Sequence, residues 1–368
     1  MINPIFDSQN WAGVPFHFWS LVFFVLGCII GSFLNVCIHR LPLGQSIVTP
    51  PSHCPHCNYS IPWYLNIPLV TWVWLRGRCR NCGAPISARY FLVELLTGLL
   101  FLAGWLGFGR SSVALTLVYC LFLSGLIAAT FIDFEHFIIP DEITVGGAVV
   151  GLLCSLLVPQ LQGQETRVGS GLQSLLGLCA GVALIYSILR LGKLLFGRQR
   201  VLLAADSRIV FTETELHLPD KTIPYEEIFY RESDVVVLHA ATVELPDRCY
   251  RDVPVRLAPQ RLWIGEDEMD PGQVPHLEAV CAEIVLPREA MGLGDVKYMA
   301  AIGAFLGWRA VVFSLMVSSI IGSVVGVSLI LTGKRAASAR LPYGPYISLA
   351  AMIWVFYGPR WVELFFGR

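Results

Sequence analysis

Residues 113–141 read VALTLVYCLFLSGLIAATFIDFEHFIIPD. From Val113 to Ile132 there is no charged side chain, and the run matches the roughly 20 residues a helix needs to cross the hydrocarbon core of a bilayer. Asp133 follows at once. Working outward, apolar stretches recur at about Trp19–Ile38, Phe91–Phe108, Thr144–Val158, Leu172–Leu195, Tyr298–Gly307, Val311–Leu331 and Tyr346–Phe356. They predict an all-α polytopic membrane protein of about eight transmembrane helices, with Gly307-Trp308-Arg309 read as a tight turn between two helices, a kink within one being the alternative. Composition agrees: 55% of the 368 residues are hydrophobic and 14% charged, against about 25% charged in soluble domains. The first run, from Phe18, has no Lys or Arg before it and passes straight into a polar, cysteine-bearing stretch. It reads as a retained membrane helix rather than a secretory signal.

Charge sets the expected orientation. Arg40, Arg76, Arg78, Arg80 and Arg89 follow the first helix, with no acidic residue before Glu94. A basic loop of this kind stays cytoplasmic, which puts the N-terminus outside and residues 133–142, 196–295 and 334–340 on the cytoplasmic side. Residues 193–290 carry eleven Lys/Arg against eighteen Asp/Glu, a balance of −7 that leaves +6 for the rest. This acidic insert argues against nucleic acid as a partner. Short β-branched or alternating runs at Val201–Leu203, Arg208–Phe211, Glu215–Leu218 and Asp234–Leu238, separated by turns such as Pro219-Asp220 and Pro246-Asp247, predict a cytoplasmic β-rich module. The expected division is 1–90 (first helix and cysteine loop), 91–198 (helices with Asp133), 199–290 (insert) and 291–368 (helices with Asp295).

Cys54-Pro55-His56-Cys57 and Cys79-Arg80-Asn81-Cys82 are two C-x-x-C pairs at the spacing of a four-cysteine zinc site. Four thiolates leave no open coordination position, so the zinc would be structural. Two disulfides are the alternative, and they call for an oxidising compartment; His53 and His56 are candidate substitute ligands. Asp133 and Asp295, the latter in Met291-Gly292-Leu293-Gly294-Asp295-Val296-Lys297, both fall at the cytoplasmic membrane edge. Ionisable residues there are costly and point to function, and two facing carboxylates share one proton and can act as base and acid. Gly292 and Gly294 would let the backbone bend and approach an extended peptide, with Lys297 close behind. The residues alone leave other roles open: interfacial charge, helix cap, salt-bridge partner, or a divalent metal on Asp133, Glu135, His136 and Asp295. Asp141, after Pro140, reads as an N-cap.

In their order along the chain, Gly31–Pro42, the cysteine quartet, Asn66-Ile67-Pro68, Arg89–Glu94, Asp133 with Pro140-Asp141, Gly292–Lys297 and Pro342-Tyr343-Gly344-Pro345 resemble the bacterial prepilin peptidases of the GxGD aspartyl class. The resemblance implies that Asp133 and Asp295 are the catalytic pair and that no metal takes part in cleavage. It implies as substrates type IV prepilin-like or pseudopilin precursors, each cut after a glycine between a basic leader and an apolar helix. In bifunctional members the cysteine loop belongs to a methyltransferase that uses S-adenosylmethionine; Gly77, Arg78 and Glu94 are candidate methyl-transfer residues. A peptidase without methyl transfer, a zinc-loop membrane adaptor and a proton carrier are the competing readings. The insert departs from the family pattern; it is a candidate docking surface for pilus or secretion machinery, with a neutral insertion as the alternative.

Overall fold

The computed structural model describes residues 15–196, 198–204, 207–219, 221–225, 228–229, 234–287, 292–332 and 341–366. Its chain forms two compact units, one of residues 1–185 and 293–368, the other of residues 186–292.

The first unit is helical. Its elements are α1 (Phe16–Arg40), the short α2 (Val70–Trp74), α3 (Ala88–Phe108), α4 (Val113–His136), α5 (Asp141–Leu157), most of α6 (Arg167–Phe196), α7 (Leu293–Leu331) and α8 (Gly344–Phe366). Among the described residues, five stretches are long and apolar enough to cross a membrane: Phe16–Leu43, Ala88–Phe108, Val113–His136, Arg167–Gly192 and Leu293–Leu331. The predicted break in the last is present: Gly307 takes φ 78°, ψ 173° inside α7. Near that break the Ala304 carbonyl accepts bonds from Ser155, Gln162 and Ser174.

Small residues let the helices touch. A Cβ at Gly27 or Gly31 would stand 2.7 Å from the backbone of α3, and one at Gly177 would stand 2.1 Å from the Gly303 carbonyl oxygen. Lipid offers apolar side chains no gain from leaving it, so membrane helices associate through close backbone approach of this kind. The outer faces stay apolar: Leu21, Val25 and Ile29 recur every fourth residue on α1 and are exposed.

The second unit is a ten-stranded antiparallel sheet: β1 (Arg198–Leu202), β2 (Arg208–Thr212), β3 (Glu215–Leu218), β4 (Lys221–Pro224), β5 (Val236–Glu244), β6 (Cys249–Ala258), β7 (Arg261–Ile264), β8 (Asp267–Met269), β9 (His276–Val280) and β10 (Glu283–Pro287). The path is β4-β3-β2-β9-β5-β6-β7-β8, with β10 pairing both β5 and β1. Alternate residues such as Ile209, Phe211, Leu216, Leu238, Ile264 and Ile284 point into one core. The expected runs correspond to β1, β2, β3 and the start of β5, whereas β4 and β6 to β10 were not foreseen. The Pro246-Asp247 turn separates β5 from β6; Asp220, of the other expected turn, lies outside the described residues, as do Met291 and residues 334–340.

Candidate active site

Four helix ends of the first unit meet around Asp133. Helix α4 stops at Phe137, which adopts a left-handed conformation (φ 56°) and donates its N–H to the Asp133 carbonyl. Asp133 therefore sits in the last turn, 5% exposed. Its Oδ2 accepts the backbone N–H of Gly344, the first residue of α8, at 2.8 Å. That N–H is one of the donors a helix start leaves unpaired, and the helix dipole there favours an anion. A Cβ on Gly344 would lie 2.8 Å from Asp133 Oδ2 and 3.1 Å from Ile139 Cδ1, so the approach requires glycine.

Asp295 lies half-buried in the first turn of α7. Gly294 beside it rests on the backbone of Ile139, and Lys297 donates to both Asp141 oxygens, at 2.7 and 2.9 Å. Asp141 is thus not the expected cap: Pro140 holds the N-cap position, and Asp141 begins α5 and serves as the ion-pair partner that ties α5 to α7. The buried Tyr298, one turn beyond Asp295, lies within electrostatic reach of both the Asp133 and the Asp295 carboxylates. Its hydroxyl meets Ser348 Oγ at 2.7 Å, and Ser348 donates to the Gly344 carbonyl at 2.9 Å. A chain of contacts therefore runs from the helix of Asp295 to the residue that holds Asp133. Gly344, Tyr298 and Ser348 were not singled out from sequence, although the Pro-Tyr-Gly-Pro run around Gly344 marked the place. Glu135 is engaged by Arg89, and among the described residues no metal-binding group contains Asp133, Glu135, His136 or Asp295.

The cysteine quartet forms the one such group found among the described residues. The two pairs build matching knuckles: Cys54 N–H bonds to Tyr59 O and Cys79 N–H to Ala84 O, and Asn58 and Gly83 turn each chain with φ of 53° and 71°. Cys54 and Cys82 sulfurs stand 3.8 Å apart, Cys57 and Cys79 sulfurs 4.0 Å. Zinc–sulfur bonds of about 2.3 Å in a tetrahedron give edges of about 3.8 Å, so the quartet fits zinc. All four cysteines are free. The Asn81 amide beside Cys57 draws its thiol down to about 6. His53 bonds instead to Pro51 O and joins no ligand group.

The candidate methyl-transfer residues flank this loop. Gly77 (φ 63°) packs on the Trp72 ring, where a Cβ would come within 2.9 Å, and Arg78 is exposed. Glu94 is buried in α3, and its Oε2 accepts the Leu69 N–H at 2.8 Å.

Comparison with known proteins follows the same layout. Residues 25–108 match the bacterial peptidase A24 N-terminal domain, and residues 120–205 and 276–327 match the type IV leader peptidase family. The gap between the last two segments falls in the β module. A prepilin leader peptidase/N-methyltransferase of Aeromonas hydrophila is 30% identical over 95% of both chains. One from Myxococcus xanthus is 52% identical over 36% of this chain and 39% of its own. A type 4 prepilin-like proteins leader peptide-processing enzyme of Escherichia coli is 44% identical over 35% of this chain and 54% of its own. No solved structure matches the chain. Matched across more than half its length, and to a relative of nearly full extent, the chain belongs to the type IV leader peptidase family.

Proposed function

We propose that this chain is a membrane aspartyl endopeptidase that removes leader peptides from type IV prepilin-like or pseudopilin precursors and then methylates the new N-terminus. The observation that carries the reading is the link between the two helix ends: Asp133 is bonded to Gly344, whose carbonyl is joined through Ser348 to Tyr298, one turn beyond Asp295. Asp133, whose Oδ2 takes the Gly344 N–H, is the ionised member and general base; Asp295 carries the shared proton. Asp133 takes a proton from water as the water oxygen attacks the scissile carbonyl carbon. Asp295 gives its proton to the carbonyl oxygen. The tetrahedral intermediate then collapses: the peptide C–N bond breaks, the leaving amine takes the proton held by Asp133, and a hydroxyl of the intermediate returns its proton to Asp295 as the new carboxyl forms. Each such acid–base contribution is worth about 10²- to 10⁴-fold.

In this reading the chain crosses the membrane eight times: through the five long helices, with α7 counted as two on either side of Gly307, and through α5 and α8. The basic loop between α1 and α3 faces the cytoplasm of a bacterial inner membrane, which puts the N-terminal end of α1 outside. The scissile bond of a precursor, between basic leader and apolar helix, reaches the same membrane edge. Zinc held by Cys54, Cys57, Cys79 and Cys82 orders the loop, and S-adenosylmethionine is the methyl donor, with Gly77, Arg78 and Glu94 around the transfer site. The names of the full-length relatives support the methyl transfer. The acidic module is a docking surface for pilus or secretion machinery.

Co-expression with candidate pilin and pseudopilin precursors, read by gel shift and N-terminal mass, tests the reading. Shortened, methylated product is expected for at least one class. Precursors left whole by a chain that inserts and loads zinc would overturn it.

A further inference from the structure

No Asp, Glu, Lys or Arg occurs from Leu41 to Leu75. The last part of that stretch, Ile61–Leu75 (IPWYLNIPLVTWVWL), is almost wholly apolar, yet at 15 residues it is short of the roughly 20 that span a bilayer. In a water-exposed loop such a segment would fold its apolar side chains inward. Here they point out: Trp63 is 82% exposed and Trp74 72%, with Tyr64, Ile67, Val70 and Val73 exposed beside them. An apolar surface of this extent marks an interaction face.

The rest of the segment is tied to a membrane-spanning helix. Trp72 packs on Phe91 with ring centroids 5.1 Å apart, and the Leu69 N–H bonds to Glu94. Glu94 lies six residues into α3, about 9 Å along it at 1.5 Å per residue, so α2 sits beside the helix and not beyond its end. Leu69 takes φ 61°, ψ −51°, and Val70 N–H reaches back to Pro68 O at 2.6 Å. This rare, strained turn is held by the buried Glu94 carboxylate, which fixes the direction in which α2 leaves. Thr71 and Trp72 then face inward, while Val70, Val73 and Trp74 form the opposite face.

We propose that Ile61–Leu75 lies in the bilayer itself, at the boundary of headgroups and acyl chains, and holds the cysteine knuckles against the membrane surface. The occupant of the exposed face is lipid. Trp and Tyr are the side chains enriched at that depth, the segment continues the lipid-facing surface of α3, and the exposed Arg76, Arg78 and Arg80 directly after it match phosphate headgroups. The inference rests on α1 and α3 spanning the membrane and not on the peptidase reading.

The test uses the full chain in phospholipid nanodiscs, with the photoreactive residue p-benzoylphenylalanine at position 63 or 74, an aromatic replacement at an exposed site. After irradiation, intact-mass analysis is expected to show the added mass of one phospholipid at both positions, with and without a precursor present. Absence of any lipid adduct, or adducts formed with an added precursor in place of lipid, would overturn the proposal. Leader cleavage measured on the same discs before irradiation keeps failure of this inference distinct from failure of the peptidase reading.

Discussion

The helical unit and the β module bury opposite things. In the module, Ile, Leu, Val and Phe fill one core and charged side chains pair outside it, as Arg208 does with Glu278 at 2.8 Å. In the helical unit, Met316, Ile320 and Val324 line an outer face, while Thr97, Ser155 and Ser174 are fully buried. The module is held by removal of apolar surface from water. The helical unit is held by backbone approach at glycines and by hydroxyls that bond neighbouring carbonyls, as Ser174 does to Ala304 at 2.6 Å. A buried serine in such a unit is thus ordinary. A buried carboxylate is not: among the described residues of this unit the buried acids are Asp133 and Glu94, and each accepts a backbone N–H from a distant element.

The largest effect expected from this contrast lies at the aspartates. Asp133→Asn and Asp295→Asn should each lower cleavage by at least ~10²-fold, since neither amide can take or give the proton. Insertion and zinc content should stay unchanged, because an amide can replace a carboxylate as a partner to N–H groups. Cleavage near the level of the unaltered chain in either variant would reduce the pair to structural groups.

Replacing Cys54, Cys57, Cys79 and Cys82 together by Ser should abolish a different activity. A structural zinc site supplies most of the folding energy of so small a loop, so the loop should lose order and methyl transfer should be lost. The helix ends around Asp133 do not depend on it, and leader cleavage should persist. Intact mass would show product about 14 Da lighter, the mass of one missing CH₂. Fully methylated product from this variant would remove the loop from the methyltransferase.

A smaller loss is expected from Gly344→Ala. Its new Cβ would meet Asp133 Oδ2 at 2.8 Å, so the carboxylate must shift while keeping its chemistry. Displacement of a reacting group by about 1 Å costs up to ~10²-fold; a fall in kcat of about 10- to 100-fold is expected, with KM little changed. An unchanged kcat would show that the Gly344 contact does not orient Asp133.

Much of this was readable in the chain. Apolar runs poor in charge placed the helices, and the paired C-x-x-C motifs placed the knuckles, because both signals are local. What escaped was long-range. Gly344 meets Asp133 across 211 positions, and nothing in the neighbourhood of either residue announces the other. Asp141 read as a cap because Pro140 and the following apolar run look like a helix start, but its partner Lys297 is 156 positions away. In the module, β6 was lost to sequence because Pro254 and Asp252 interrupt its alternation. Asp252 has φ 53°, and the β5–β6 register skips it: Ala240 pairs with Val253 and Thr242 with Arg251. The strand β8, Asp267–Met269, is mostly acidic and carries no apolar signal of its own.

The smallest effect on cleavage should come from the largest change. The module closes on itself: β1 and β10 run antiparallel, with Leu202 opposite Glu283 and Arg198 opposite Pro287. The chain therefore leaves and returns at neighbouring points, and residues 203–282 can be replaced by a two-residue Asn-Gly turn, the connection such a pair favours. Loop closure weighs little against this, since its cost changes only slowly with length. Asp133, Asp295, Gly344, Tyr298 and Ser348 all belong to the helical unit, outside the excised span. The shortened chain should insert normally and cleave a purified precursor within about threefold of the full chain, a difference of roughly 0.6 kcal/mol. If the module docks secretion or pilus machinery, the deletion should instead weaken processing in cells, where delivery matters. Loss of cleavage in the purified system, with zinc content and insertion intact, would show that the two units do not work independently.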